Sequence, residues 1–202
     1  MKLSVRGVVF SALFAALLVV LSFVNIHLGF THVPITMENT AVMLAGAILG
    51  PGYGFFSMLL VVVLTALGLP LLHDQGGMGV ILGYTGGYVW LWPICALLTG
   101  WFAKRIKGNG IGAFIQIFLA AYIFGDLVSY ITGVTWLAYT AHMSLQKALI
   151  GGCYPFLPGD AAKALLTAAI TLPVRRVYPI SRITGSQNTV VALNDNQHSV
   201  AN

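Results

Sequence analysis

Two prolines, a glycine and two opposite charges occur together in the stretch Tyr154-Pro155-Phe156-Leu157-Pro158-Gly159-Asp160-Ala161-Ala162-Lys163. The prolines and the glycine indicate a loop that ends where an apolar helix begins. Asp160 and Lys163 are three residues apart, so on a helix they share a face and can contact each other or one ligand. Because ionisable side chains are costly in a bilayer, this pair predicts a functional site at the mouth of a helix.

The sequence leaves two interpretations of this pair open. In the structural one, Asp160 only caps the helix and Lys163 only snorkels, so that its ammonium group reaches the lipid headgroups. In the functional one, Asp160 accepts hydrogen bonds from ligand N–H groups. Lys163, aided by the positive end of the helix dipole, then holds a ligand anion.

The composition is that of an integral membrane protein. Of the 202 residues, 7% are charged and 58% hydrophobic, and the mean hydropathy is +0.88, whereas a soluble domain has about a quarter charged residues. The net charge of +5 does not indicate nucleic acid, because the basic residues lie at the ends of apolar segments. Cys95 and Cys153 suggest neither a disulfide framework nor a metal site. No nucleophile, Walker or zinc-binding motif occurs, so we predict no enzyme, no metal and no cofactor.

Six segments are candidate membrane helices, at residues 5–26, 39–49, 54–69, 87–103, 112–138 and 160–177. A span needs about 20 apolar residues, so segment 39–49 is too short unless residues 35–38 extend it. We predict an all-α membrane protein with six transmembrane helices in one compact bundle. Residues 1–179 would form the substrate-binding domain, and the polar residues 180–202 a disordered cytoplasmic tail.

Lysine and arginine predict the orientation in the cytoplasmic membrane. With both termini cytoplasmic, the outer segments hold only Lys147 and Lys163, and the inner ones hold Lys2, Arg6, Lys104, Arg105, Lys107, Arg175, Arg176 and Arg182. The three outer loops (27–38, 70–86 and 139–159) are longer and richer in Gly, Pro, His and aromatic residues than the inner turns. Because loops on a rigid bundle often carry binding groups, we expect the outer loops to form the ligand pocket.

Two outer segments offer possible walls for that pocket. The glycine-rich loop 72–88 either lets backbone approach a ligand or is a flexible connector. Tyr84, Tyr88, Trp90 and Trp92 could line an apolar pocket, although an interfacial aromatic belt explains the tryptophans equally well. Glu38, at the start of the second candidate helix, either caps that helix or faces Lys163.

Two further features lie inside candidate helices. Ala12 and Ala16 are four residues apart, and such small residues allow close packing by another helix in lipid. This face is either ordinary for a membrane helix or a docking surface for a partner protein. Asp126 lies within the fifth candidate helix, and the sequence shows no partner for it.

Several of these blocks together resemble the BioY family, the biotin-binding S components of energy-coupling factor transporters. The matching blocks occur in the family's order, at residues 33–38, 44–51, 68–70, 83–88 and 154–163. The resemblance covers residues 1–179, and its most specific part is the Pro-Gly-Asp-x-x-Lys block ending at Lys163.

The resemblance implies high-affinity biotin binding on the outward side and biotin uptake, with membrane lipid, one transmembrane coupling protein and two ABC ATPases as partners. It implies that Asp160 and Lys163 are polar ligands of biotin and that Ala12 and Ala16 dock on the coupling protein. Another small vitamin is the alternative ligand. Chemistry and resemblance together give as candidate ligand-binding residues Asp160, Lys163, Glu38, Asn39, Gln75, Gly76, Gly77, Tyr84, Gly86, Gly87 and Tyr88.

The chain departs from the family's pattern at two places. Glu38 stands where the family usually has glutamine, which makes that wall anionic or protonated. Val89 stands where some members have an arginine after Gly-Gly-Tyr, which leaves Lys163 a larger share of the contact with a ligand carboxylate.

Overall fold

The computed structural model describes residues 4–26, 29 and 31–183, which are almost entirely helical. The helices are α1 (Val5–Ser22), α2 (Glu38–Leu44), α3 (Pro51–Ala66), α4 (Met78–Ile81), α5 (Gly86–Val89), α6 (Trp92–Ala103), α7 (Ile111–Ala120), α8 (Ser129–Thr140), α9 (Leu145–Gly152), α10 (Leu157–Val177) and α11 (Ile180–Ile183). Two π-helical segments, Ala45–Leu49 and Ala121–Leu127, extend α2 and α7. Strands β1 (Asn25–Ile26) and β2 (Ile35–Thr36) pair antiparallel, with Asn25 opposite Thr36.

The predicted helical segments agree with the structure in position but differ in detail. The last residues of segment 5–26 leave the helix and form β1. Segment 87–103 is two helices, because α5 ends before Trp90 and α6 restarts with Pro93 in its first turn. Proline lacks the N–H that a continuous helix would need there, and it suits the first turn of a new one.

Two helical stretches in the described part of the chain are long and apolar enough to cross a membrane. These are Val5–Ser22 and the continuous helix Ile111–Thr140, while Glu38–Leu49 and Pro51–Ala66 are shorter apolar helices. The outer face of α1 is apolar and uncovered, since Val9, Leu13 and Val20 are each more than half exposed. An apolar exterior around a helical core is what lipid contact requires.

Close helix packing in the centre depends on glycine. Gly50 has a φ of 80°, which ends the helical run Glu38–Leu49 and lets α3 start at Pro51. Gly100 of α6 lies directly against this turn, because a Cβ there would be 2.5 Å from the carbonyl carbon of Gly50. The backbone of the turn and the backbone of α6 are therefore in direct contact, with no side chain between them at Gly100.

The two ends of the bundle carry different side chains. The cleft end is where α1 finishes and α10 begins, and the Ser22 hydroxyl there bonds to the Leu71 carbonyl at 3.2 Å. The basic end is where α6 and α10 finish. Arg175 there donates from Nη2 to the Ala103 carbonyl at 2.7 Å. Asp160 and Lys163 belong to the first turns of α10, at the cleft end.

The ordered part of the chain extends beyond the predicted boundary at residue 179. Ile180–Ile183 form α11, and the Ile183 side chain is buried against Tyr53 and Leu49. The apolar residue Ile183 packs this turn on the bundle, while the division into a domain and a tail stays a prediction. The predicted disorder of residues 184–202 falls outside the described residues.

We expect Gly100→Ala to lower the thermal unfolding midpoint, because its Cβ would press on the backbone of Gly50 and Pro51. Overpacking of this kind costs about 1–3 kcal/mol. Gly112→Ala in α7 is the matched control, since among the described residues no atom outside its own stretch of helix lies within 4 Å of its added Cβ. Unfolding in detergent, followed by size-exclusion chromatography after heating, measures both. Equal midpoints for the two variants would contradict the close approach.

Candidate functional site

A buried ion pair lies at the start of α10. Lys163 Nζ donates to Asp160 Oδ1 at 2.7 Å, and the two residues are 8% and 1% exposed. Tyr130 on α8 donates its hydroxyl to Asp160 Oδ2. Each carboxylate oxygen thus has one protein donor.

The structure does not show the two contacts that the structural interpretation of this pair expects. The N-cap of α10 is Phe156, and the cap makes no side-chain hydrogen bond, so Asp160 is a first-turn residue that does not cap the helix. Lys163 is buried against a carboxylate, so its charge does not extend to headgroups. Charges are retained inside a bundle at a cost, and such retention indicates a function.

A second polar contact joins α2 to the long helix Ile111–Thr140. Asn39 donates its amide to Asp126 Oδ1, and Asp126 is completely buried. Asp126 Oδ2 has no hydrogen-bond partner among the described residues. Asp126 belongs to the π-helical segment Ala121–Leu127, a rare conformation that often marks functional sites. The partner that the sequence did not show is therefore Asn39.

Glu38 faces the same region from the first turn of α2. It is 4% exposed, and its Oε1 has no hydrogen-bond partner in the described part of the chain. His73 Nε2 lies 3.8 Å from this oxygen, which is too long for a hydrogen bond. Buried acceptors are nearly always satisfied, so an unpaired one beside a cavity indicates a missing donor.

Most of the polar groups described above line one cleft, at the end of the bundle where α1 finishes and α10 begins. It encloses about 610 Å³ of empty space, with the open solvent at its mouth included. Its polar lining includes Glu38, Asn39, Asp160 and Lys163, and its further lining is Val33, Pro34, Thr36, Leu72, His73, Val80, Thr85, Tyr88, Val89, Trp92, Tyr130, Gly152 and Phe156.

Aromatic rings form one wall of the cleft. Tyr88 and Tyr130 meet edge to face with their centroids 5.8 Å apart, and Tyr88 donates its hydroxyl to the Gly152 carbonyl at 2.7 Å. Trp92 is 3% exposed, and its indole N–H has no acceptor among the described residues. The wall therefore combines an apolar surface with one available donor.

Five of the predicted ligand-binding residues line this cleft, namely Asp160, Lys163, Glu38, Asn39 and Tyr88. The structure places the other six outside the lining. Gln75 is exposed and pairs its backbone with Leu72, and Tyr84 stacks on His32 with centroids 4.8 Å apart.

The remaining four of these residues are glycines with structural reasons to be there. Gly86 and Gly87 let α5 pack on α8, since a Cβ on Gly87 would lie 2.4 Å from Trp136 Cβ. Gly76 lies against the Leu69 carbonyl, and Gly77 has a φ of 84°. Helix packing and turn geometry explain these glycines, and their contact with a ligand stays a prediction.

Several lining residues were missed from the sequence. Tyr130 follows Asp126 by four residues on one helix, a spacing that places both on one face and could have indicated it. Phe156 belongs to the stretch 154–163 but carries no polar signal. Trp92 fits the pocket-wall interpretation, whereas Trp90 instead donates to the Ile81 carbonyl at 2.9 Å.

The described residues contain no group of three metal-ligating side chains that could hold an ion.

Ala12 and Ala16, the predicted docking pair, are exposed on α1, whereas the intervening Ala15 is buried. The small-residue face of α1 is thus uncovered in the isolated chain.

An apolar helical bundle that encloses a buried ion pair, unpaired polar groups and an aromatic wall defines a membrane protein that binds a small molecule. The chain matches the BioY family over residues 1–180. It therefore belongs to the BioY family. Since this family is a family of transporters, the expectation that the chain is not an enzyme is confirmed.

Individual relatives agree with this assignment. The chain is 38% identical to "Biotin transporter BioY" of Rhizobium etli, over 88% of this chain and 97% of that protein. It is 36% identical to "Biotin transporter BioY" of Lactococcus lactis subsp. cremoris, over 85% and 92%. The crystal structure of an S-component for biotin from an ECF-type ABC transporter is similar with a TM-score of 0.79 at 33% identity, covering 85% of this chain and 92% of that one.

We expect Lys163→Met to destabilise the ligand-free protein strongly, because it leaves the Asp160 charge buried without its cation. Breaking a buried pair costs about 3–5 kcal/mol. The double variant Asp160→Asn/Lys163→Met removes both charges and should regain part of that loss. Thermal midpoints in detergent measure this, and a single variant as stable as the double one would contradict it.

Proposed function

We propose that this chain binds biotin in the cleft and serves as the substrate-binding subunit for biotin uptake by an energy-coupling factor transporter. The observation that carries the proposal is the buried Asp160–Lys163 pair with Tyr130 at the wall of a partly apolar cleft. The BioY relatives, which are named biotin transporters, indicate the ligand.

The cleft offers a counterpart for each part of biotin. Biotin has ureido N–H donors and a ureido carbonyl, an apolar thiophane ring and a carboxylate tail. Asp160 would accept a hydrogen bond from a ureido N–H, and the ring would lie against Tyr88 and Trp92. Small-ligand sites commonly combine an apolar lining with a few such polar groups.

Lys163 has two roles in this proposal. One of its three N–H donors binds Asp160, and the others are available for a ligand oxygen. This contact also fixes the Asp160 carboxylate at the cleft wall, where its oxygens can act as acceptors. Glu38 and Asn39 form the facing polar wall on α2, and Asp126 holds Asn39 in position.

We also propose the arrangement in the membrane. Six helical segments would cross the cytoplasmic membrane, with both termini and the basic end on the cytoplasmic side. The cleft would then open outward. Residues 1–179 with α11 form the binding domain, and residues 184–202 a polar cytoplasmic tail.

The partners in this proposal are one transmembrane coupling protein and two ABC ATPases. Ala12 and Ala16 support a docking surface, because both are exposed and four residues apart on α1. Small residues at this spacing let a partner helix approach closely in lipid.

Asp160→Asn should weaken biotin binding by about one to two decades, because a charge-assisted hydrogen bond contributes about 1.5–3 kcal/mol. Asp74→Asn is the matched control. Asp74 is an exposed carboxylate with a φ of 60°, a conformation that asparagine also adopts. Calorimetric titration of the purified proteins with biotin measures the difference.

The same titration identifies the ligand. Thiamine and riboflavin are titrated alongside biotin, and only biotin should bind the wild-type protein. An Asp160→Asn protein that folds and binds biotin as tightly as the wild type would contradict the proposed role of Asp160. Tight binding of another vitamin in place of biotin would overturn the ligand.

Ala12→Leu/Ala16→Leu should abolish most uptake by cells that co-express the coupling module, while biotin affinity of the purified variant stays unchanged. The added side chains would hold the partner helix away from α1. Val9→Leu, on the same exposed face, is the control. Wild-type uptake by the double variant would show that α1 docks elsewhere.

A further inference from the structure

A second cavity lies at the basic end of the bundle, away from the cleft. It is formed by the loop between α6 and α7 together with the end of α10, and it encloses about 740 Å³ of empty space including its mouth. Lys104 and Arg175 supply its charged lining, and Ile106, Ile117 and Leu172 an apolar one. It is thus a concave site with a cationic edge and an apolar wall.

No carboxylate among the described residues balances these charges. The chain has five acidic residues. Four of them are described, and these are Glu38, Asp74, Asp126 and Asp160, which lie in the cleft or in the network and loops around it. The Asp160–Lys163 ion pair and the contact of Glu38 with His73 are also there. No carboxylate of the described residues therefore compensates the positive charge of the basic end.

Arg175 is held in place at the cavity. Its Nη2 donates to the Ala103 carbonyl at 2.7 Å, which uses one of its five N–H donors. The side chain is half-buried, so its charge is only partly hydrated. An anion beside it would regain the lost electrostatic stabilisation, and arginine binds phosphate oxygens especially well.

The neighbouring cations, Arg105 and Arg176, do not line this cavity. The Arg105 guanidinium lies 3.2 Å from the centroid of the Trp101 ring, and Arg176 donates to the Asn109 carbonyl. The positive-inside rule explains the sign of all these residues. It does not explain why Lys104 and Arg175 converge on a cavity with an apolar wall.

We propose that the cavity between the α6–α7 loop and the end of α10 binds a phosphate-type anion through Lys104 and Arg175. Its apolar wall of Ile106, Ile117 and Leu172 favours the headgroup of an anionic phospholipid over free phosphate. Basic pockets between helices at the cytoplasmic side of membrane proteins bind such headgroups. The site is separate from the cleft, so it leaves ligand binding there unaffected.

Native mass spectrometry of the delipidated full chain tests this site. The probes are phosphatidylglycerol, phosphatidylcholine with the same acyl chains, and inorganic phosphate. Phosphatidylglycerol should bind more tightly than phosphatidylcholine. Lys104→Gln/Arg175→Gln should weaken phosphatidylglycerol binding by about fivefold per charge, or about 25-fold together.

The control and a second variant separate binding from folding. Lys147→Gln removes an equal charge from the exposed face of α9 at the cleft end, and it should leave phosphatidylglycerol binding unchanged. Lys104→Gln alone changes an exposed side chain, so it remains informative if the double variant does not fold. Biotin affinity should be the same in every one of these proteins.

Inorganic phosphate is the alternative anion for this site. Phosphate binding that competes with phosphatidylglycerol, and that the same variants weaken, would support the anion site with free phosphate as its source. Equal affinity for the two phospholipids would overturn the proposal. Unchanged phosphatidylglycerol binding by the folded Lys104→Gln/Arg175→Gln protein, or by the Lys104→Gln protein, would overturn it as well.

Discussion

The buried contact between Lys163 and Asp160 is the constraint on which the cleft depends. Two charges without water are expensive, and only a short ion pair with further hydrogen bonds offsets that expense. Tyr130 supplies the further bond from α8, so the pair ties the start of α10 to α8. The helices around the cleft are therefore positioned by the same atoms that are available to a ligand.

A second network of the same kind lies beside it. Asn39 on α2 reaches Asp126, and Glu38, its neighbour in sequence, turns an unpaired oxygen toward the cleft. The walls from α2, α8 and α10 are thus each anchored by a polar contact. In a medium that offers no competing water, a few such contacts fix helix positions that packing alone would leave adjustable.

Charge is sorted along the long axis of the bundle. The described carboxylates lie in or near the cleft, and most of the lysines and arginines lie at the opposite end. Lys147 and Lys163 are the exceptions, and of these two it is Lys163 that a carboxylate holds in the described structure. Lys163 therefore has a carboxylate partner in the bundle, whereas in our proposals the cations at the basic end orient the chain and bind an anion.

The sequence carried local information well and long-range information poorly. The spacing of Asp160 and Lys163 predicts their contact because three residues on a helix define a geometry. Tyr130 is thirty residues from Asp160, and nothing local indicates that the two meet. Glycine at Gly87 suits both ligand approach and helix packing, and only the position of Trp136 decides between them. The division of segment 87–103 depends on Pro93, which also fits within a single kinked helix.

The π-helical segment Ala121–Leu127 makes the site sensitive to chain length as well as to residue identity. A π turn accommodates one residue more than an α turn, and each added residue rotates the later part of the helix by about 100° around its axis. Asp126 lies in this segment and Tyr130 just beyond it, in α8. Deleting one residue ahead of Asp126 would leave an ordinary helix of similar hydropathy with both side chains turned away from Asn39 and Asp160. Such a chain would keep every residue of the site and lose the site itself, which ties the cleft to an insertion in a helix.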